Sequence, residues 1–312
     1  MNAYAQTTSS DVPVYLKLAA VTMIWGGTFV AGRFLADSLS PLFAASLRFL
    51  LASVVLLLFL LLARVPLAKP SPGQWLQLAL LGFFGIFFYN LCFFYGLHYI
   101  NASRASLIVA LNPAVIGLAS WLLFKERLSR AKVIGIAICI AGASLVIVSR
   151  NPQLLVDNAD AWIGDLLIFG CVFGWGIYSL FSKELNHSLG PVQTVAYSIL
   201  LGTLMLWVAS AIRGELSVSA LMSLGPQQWM SLMYLGVLGS ALAYIGYYDG
   251  IRQIGATRSG VFIALNPLTA VILGALLLGE QLTLAMCLGG GLILTGIFLC
   301  NKPLARAGKK GI

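Results

Sequence analysis

Charge is scarce in this chain of 312 residues. Asp and Glu together number ten, His two, and all charged residues make up 9% of the chain. The two histidines, His98 and His187, stand far apart near the ends of apolar runs. They cannot assemble a His-based metal cluster or a Ser-His-Asp set. No Gly-x-x-x-x-Gly-Lys-Ser/Thr stretch occurs, so the chain has no nucleotide engine of its own. These absences weigh against an enzyme, and no catalytic residue, metal or cofactor is expected. The five cysteines, Cys92, Cys139, Cys171, Cys287 and Cys300, fall inside apolar runs without paired spacing. They read as small apolar fillers, not as disulfide partners or metal ligands.

Apolar sequence is what the chain has in excess. Hydrophobic residues make up 60% and the mean hydropathy is +0.94. A hydrocarbon layer of about 30 Å needs about 20 apolar residues per helical span. Windows of that length place ten spans at 15–36, 42–63, 75–97, 102–124, 131–149, 162–183, 191–212, 227–250, 257–278 and 284–301. The expected fold is therefore an all-α polytopic membrane protein. The first run resembles a signal peptide only superficially, because residues 1–13 carry no Lys or Arg and no small-residue cleavage site follows.

The net charge of +9 is distributed unevenly. With the N-terminus inside, cytoplasmic segments hold Lys17, Arg64, Lys69, Lys125, Arg127, Arg130, Lys132, Lys183, Arg252, Arg258, Lys302, Arg306, Lys309 and Lys310. Only Arg33, Arg104, Arg150 and Arg213 fall outside, and Arg48 lies within span 2. This positive-inside bias predicts that both termini are cytoplasmic. The basic tail is expected to meet anionic lipid headgroups, with no role in nucleic-acid binding.

One stretch occurs twice. Residues 102–128 read ASRASLIVALNPAVIGLASWLLFKERL and residues 256–282 read ATRSGVFIALNPLTAVILGALLLGEQL. At this spacing the chain aligns with itself from Trp75/Trp229 to Leu145/Leu299, with roughly twenty of about seventy positions identical. The fronts of the halves match more loosely, with Trp25 opposite Trp175. The duplication divides the chain into residues 1–150 (spans 1–5) and 151–312 (spans 6–10 and a short basic tail). Because five is odd, the second half enters the membrane from the opposite side, which makes the halves inverted repeats.

The repeated motif carries its own chemistry. Pro113 and Pro267 sit near the middles of spans 4 and 9. Each lacks an N–H and clashes with the carbonyl four residues earlier, so the Val109 and Ile263 carbonyls leave the helical ladder. In hydrocarbon such a carbonyl needs a partner or a wet cavity. Asn112 and Asn266 place an amide beside each break, able to donate and accept together. Paired interruptions in two halves point to a midplane site with Pro113 and Pro267 as bending points. The alternative is a packing kink whose Asn satisfies local backbone groups.

Span 3 is unusually aromatic, and Phe83, Phe87, Asn90 and Phe94 recur at helical spacing on one face. Their repeat mates in span 8 include Tyr244 and Tyr248. Such a face suits a ligand with an apolar side chain and a polar end, although single Phe residues serve equally in packing or against lipid. Trp25, Thr28, Trp175, Tyr178 and Ser179 add similar groups from spans 1 and 6. Trp75, Trp162 and Trp229 read as interfacial anchors. Asp249 is either a partner of Arg252 or a coupling carboxylate. Glu126 and Glu280, at the ends of spans 4 and 9, are placed for gating and not for binding.

The duplicated Ala-Ser/Thr-Arg, Ala-Leu-Asn-Pro and Glu-x-Leu pattern, with Trp25-Gly26-Gly27-Thr28-Phe29 in span 1, resembles the drug/metabolite transporter superfamily in its ten-span EamA branch. The likeness covers residues 15–301. Within that branch the chain is most similar to bacterial aromatic amino acid exporters of the YddG type. The resemblance implies a solute carrier with a central cavity in the cell inner membrane, and it marks Glu126 and Glu280 as part of the family signature.

The expected function is that of a secondary exporter of small amphipathic metabolites, above all aromatic and other apolar amino acids. The scarcity of buried charge favours facilitated diffusion or weak proton coupling, and a monomer is expected. Polar contacts come from Asn90, Asn112, Asn266, Tyr244 and Tyr248, and apolar walls from Trp25, Phe87, Trp175 and Tyr178. Nucleosides, purines or cationic drugs are the alternative solutes, and a membrane-embedded enzyme or scaffold the alternative class.

Overall fold

The computed structural model describes residues 11–301 apart from 37, 65–66, 101, 127, 151–159, 270–271 and 273–282. Helix is the only regular structure among the described residues. The chain runs through α1 (Val12–Ala36), α2 (Pro41–Leu62), α3 (Pro72–Gly82), a π-helical stretch Phe83–Phe88, α4 (Tyr89–Tyr99), α5 (Ala102–Val109), α6 (Asn112–Phe124) and α7 (Arg130–Arg150). It continues through α8 (Ala161–Ser188), α9 (Pro191–Ile212), α10 (Val218–Met222), α11 (Pro226–Met233) and a second π-helical stretch Tyr234–Leu242. The remainder is α12 (Ala243–Ile254), α13 (Ala256–Gly260), a 3-10 turn Val261–Ala264 and α14 (Leu284–Asn301).

Eight helical stretches among the described residues are long and apolar enough to cross a membrane, and they coincide with expected spans 2–8 and 10. The first expected span is the 25-residue α1. Much of the ninth lies outside the described residues. Helix starts follow local chemistry: Pro41, Pro72, Pro191 and Pro226 all open helices, where a missing N–H costs nothing. Ser71 and Gln74 cap α3 reciprocally. The outer surface remains apolar, with Leu61, Leu122 and Phe298 well exposed. Such a face suits lipid, since a water-soluble monomer rarely exposes contiguous apolar area on this scale.

Between helices, small residues set the spacing. A Cβ at Gly135 would stand 2.7 Å from the Gly296 carbonyl oxygen, and one at Gly296 would stand 2.5 Å from that of Gly135. Gly142 and Gly289 repeat the arrangement at 2.6 and 2.8 Å. Here α7 and α14 touch backbone to backbone, as glycine-rich membrane helices do. The Cys139 thiol donates to the Ile293 carbonyl at 3.4 Å. Cys92, Cys139, Cys171 and Cys300 are buried and Cys287 is exposed, all five as free thiols.

The same packing recurs elsewhere at the repeat spacing. A Cβ at Gly236 would meet Leu51 and the Arg48 carbonyl, while one at Gly82 would meet Leu201 and the Ser198 carbonyl. The two π-helical stretches also occupy overlapping repeat positions. A π turn bonds i to i+5 and commonly marks a functional segment.

Candidate functional site

A cavity of about 330 Å³ lies between the two halves, with walls from α1, α2, α4, α5, α6, α8, the second π-helical stretch, α12, the 3-10 turn and Asn266 beyond it. That volume sits at the low end of small-molecule sites, roughly 300–1,000 Å³. Trp25, Asn90, Asn112, Trp175, Tyr244 and Asn266 all line it. The residues expected from spans 1, 3, 4, 6, 8 and 9 therefore meet at one place. Phe87, Tyr178 and Tyr248 stand outside the lining. Phe87 packs on Phe83 at 5.6 Å, and Tyr178 and Tyr248 are fully buried with ring centres 4.8 Å apart.

The wide turn at Phe83–Phe88 explains the shift in span 3. An α-helical period puts Phe83, Phe87, Asn90 and Phe94 on one face, but the π geometry rotates the residues beyond it. Tyr89, Asn90, Phe93 and Phe94 face the cavity instead. The Asn90 amide donates to the Ile86 carbonyl within this turn, at 2.6 Å.

Aromatic edges build the floor. The Trp25 and Trp175 rings meet edge to face at 5.2 Å, and Tyr244 packs on both, at 5.9 and 5.5 Å. Such contacts contribute about 0.5–1.5 kcal/mol each beyond simple burial. Trp25 Nε1 donates to the Gly239 carbonyl at 3.0 Å. Trp175 Nε1 lies beside the Tyr247 hydroxyl but in no hydrogen bond.

The helix breaks at the Asn-Pro pairs take two forms. In the first half, α5 ends at Val109 and α6 starts at Asn112. The Val109 carbonyl that Pro113 displaces accepts the Asn112 amide at 2.9 Å. That bond fixes the amide orientation, because the flipped form would oppose two oxygens. Asn112 Oδ1 is then left buried without a partner, and Asn266 Oδ1 is in the same state. In the second half a 3-10 turn over Val261–Ala264 precedes Asn266 and Pro267. A buried, unpaired amide oxygen costs about 1–3 kcal/mol, and each of these two belongs to a residue that lines the cavity.

Arg48 is the wall residue that spacing and motifs do not single out. It carries a guanidinium within an apolar span, which is by default a functional position. Its Nε donates to Ser240 Oγ at 2.8 Å, and its guanidinium carbon stands 5.1 Å from the Phe49 ring centre. Tyr244 and Tyr89 are its ionisable neighbours. Among the described residues Arg48 makes no ion pair.

Among the described residues the ion pairs between the halves collect at the far end of the bundle. The cavity reaches the α1–α2 turn through Leu35, Leu39 and Pro41. Lys17, roughly 27 Å back along α1 at 1.5 Å per residue, pairs with Asp249, which also holds Arg252 at 2.9 Å. Glu126 bonds Ser120 and pairs with Lys132 at 2.9 Å, and accepts from Thr257 at 3.4 Å. Arg258 bonds Tyr15, Asp11 at 2.9 Å and Asn301 at 3.0 Å. Burial pushes the Glu126 carboxyl up, but the Ser120 hydroxyl and the Lys132 ammonium outweigh it and hold the group below the usual range. Glu280 lies outside the described residues.

Comparison with known proteins agrees with this architecture. A model of the EamA-like transporter family matches twice, over residues 13–148 and 162–302. The uncharacterized transporter YetK of Bacillus subtilis is 26% identical, over 91% of this chain and 86% of its own. An uncharacterized transporter of Archaeoglobus fulgidus is 28% identical, over 91% and 97%. The uncharacterized inner membrane transporter YedA of Escherichia coli is 28% identical, over 92% and 90%. One crystal structure superposes with a TM-score of 0.77 at 22% identity, covering 94% of this chain and 98% of the other.

Proposed function

The chain belongs to the EamA-like transporter family, and from that premise we propose that it exports small amphipathic metabolites by alternating access. Amino acids with aromatic or other apolar side chains, as in exporters of the YddG type, are the favoured solutes. The supporting observation is the cavity, whose aromatic floor and two lining Asn residues with unpaired oxygens come from matching positions of both halves. An apolar side chain lies against Trp25, Trp175 and Tyr244, with Phe87, Tyr178 and Tyr248 backing that floor. The polar end meets Asn90, Asn112 and Asn266. No covalent chemistry is needed.

The halves, residues 1–150 and 151–312, act as inverted repeats of five spans each, in a monomer with both termini cytoplasmic in the inner membrane. On that topology the cavity reaches the extracytoplasmic side, and the Lys17, Glu126 and Arg258 contacts form the closed cytoplasmic gate. Transport reverses the arrangement, with bending at Pro113 and Pro267 and with Glu280 serving the opposite gate.

Counterflow of labelled phenylalanine and tryptophan in proteoliposomes tests the reading. Saturable flux is expected, and Asn112→Ala and Asn266→Ala should each lower apparent affinity about tenfold to a hundredfold, the range for one bond to a charged group. Asn112→Ala should also lower the melting temperature, because the Val109 carbonyl loses its donor. Flux of nucleosides or cationic drugs without flux of amino acids would replace the solute class.

A further inference from the structure

We infer that Arg48 is the carboxylate receptor of this cavity, so that transported solutes carry a carboxylate, with their ammonium directed to the Asn112 and Asn266 oxygens. The inference rests on the transporter reading and narrows its substrate class. Three observations carry it. Arg48 lies inside the 22-residue apolar α2 and lines the cavity. Among the described residues no carboxylate lines the cavity or lies within ion-pair distance of Arg48. Among the described residues its hydrogen bonding uses Nε alone, to Ser240.

A guanidinium offers five N–H donors in a planar fork that matches a carboxylate. With Nε committed to Ser240 and the ring of Phe49 beside it, the terminal nitrogens are the groups left to meet a ligand. Holding a cation in an apolar span is costly unless an anion compensates it, and the protein supplies none among the described residues. A phosphate dianion is a poorer fit, because Arg48 is the only cation among the described wall residues. A monovalent carboxylate balances it. The solute's other end is set by the two unpaired amide oxygens of Asn112 and Asn266, which accept hydrogen bonds and repel a second anion. One donor fork and two acceptors on the wall of one cavity describe a receptor for a zwitterion.

The position is not duplicated. At the Trp25/Trp175 spacing, Pro41 stands opposite Pro191 and Arg48 opposite Ser198. Ser198 shares a hydrogen bond with the Tyr178 hydroxyl at 3.2 Å instead. The carboxylate end is therefore read by one half only.

The test uses full-length protein, purified and reconstituted, with four probes: phenylalanine, phenylalaninamide, 3-phenylpropanoate and phenethylamine. Binding is followed by thermal shift and flux by counterflow in the parent, Arg48→Gln and Arg48→Lys. The parent should prefer phenylalanine over phenylalaninamide by about tenfold to a hundredfold. Arg48→Gln should abolish that preference by weakening phenylalanine and leaving phenylalaninamide unchanged. Arg48→Lys keeps the charge without the fork and should fall between, which preserves the test if Arg48→Gln does not fold.

If the parent treats phenylalanine and its amide alike, or both variants keep the full preference, the assignment of Arg48 fails while amino acid transport stands. Arg48-dependent binding of 3-phenylpropanoate without transport of any amino acid would keep the carboxylate receptor and overturn the amino acid reading. Binding of phenethylamine alone would overturn both.

Discussion

The two halves surround one cavity with matching helices but fill equivalent positions with different chemistry. Gly239 and Gly85 are repeat mates. Beside Gly239 lies the Thr28 methyl, and its carbonyl accepts the Trp25 indole. Beside Gly85 lies the ring of Tyr178, and the Trp175 indole has no hydrogen bond. The α2 position holds Arg48 and its α9 counterpart Ser198. Duplication preserved the scaffold contacts, where a glycine meets a backbone carbonyl, while the wall diverged. A transporter needs near-equivalent packings of its halves, but a solute with two unlike ends needs an asymmetric wall.

Substituting both members of each pair sharpens this comparison. The largest effect is expected at Gly85. A Cβ there would stand 2.1 Å from a Tyr178 ring carbon, against 2.8 Å from the Thr28 methyl at Gly239. Overpacking costs typically about 1–3 kcal/mol. The buried Tyr178 ring, held by Ser198 and Tyr248, has less room to yield than a methyl. Gly85→Ala should therefore reduce monodisperse yield and melting temperature in size-exclusion and thermal-shift assays, and Gly239→Ala should do so less. Equal losses would show that the halves are packed alike.

The tryptophans should give an intermediate effect. Trp25→Phe removes the bond to Gly239, a loss of about 1 kcal/mol, which thermal shift should register. Trp175→Phe removes no hydrogen bond within the protein and should leave the melting temperature nearer the parent. A larger drop for Trp175→Phe would reverse the contrast between the halves.

The smallest effect concerns Glu126, which is partly exposed, so solvent screens its pairing. Its lowered folded-state pKa means that it contributes stability at neutral pH, above its unfolded value. That contribution is lost as pH falls through the acid range toward the depressed value. Glu126→Gln should remove this part of the acid dependence. Melting curves between pH 7 and roughly pH 4, the ordinary carboxylate region, should then converge for parent and variant as pH falls. Curves that stay parallel would remove Glu126 from the network.

Much of the site was legible because its causes are local or repeated. Pro113 displaces the Val109 carbonyl by its own covalent structure, and the adjacent Asn112 is the nearest donor to satisfy it. The duplicated Asn112 and Asn266 both line the one cavity. Arg48 was not legible in this way. Its partner Ser240 lies 192 residues away, and nothing in the spacing of α2 says which side faces inward. The cavity face of span 3 differs from the α-helical expectation for a related reason. Its aromatic residues surround the helix, so apolar periodicity cannot orient it, and a π turn at Phe83–Phe88 changes the register.

The sequence by itself determined that this chain lies in a membrane, that it is built from a duplicated unit, and where spans 4 and 9 break. Those properties stem from transfer free energy, self-similarity and the missing N–H of proline, each a function of nearby residues. Only the tertiary structure decided that Trp25 is tied to Gly239, 214 residues away, that Tyr178 and Tyr248 stand behind the wall, and that Arg48 faces the cavity. In an apolar solvent, burial no longer distinguishes one helix face from another. Close packing and hydrogen bonds between distant segments make that choice.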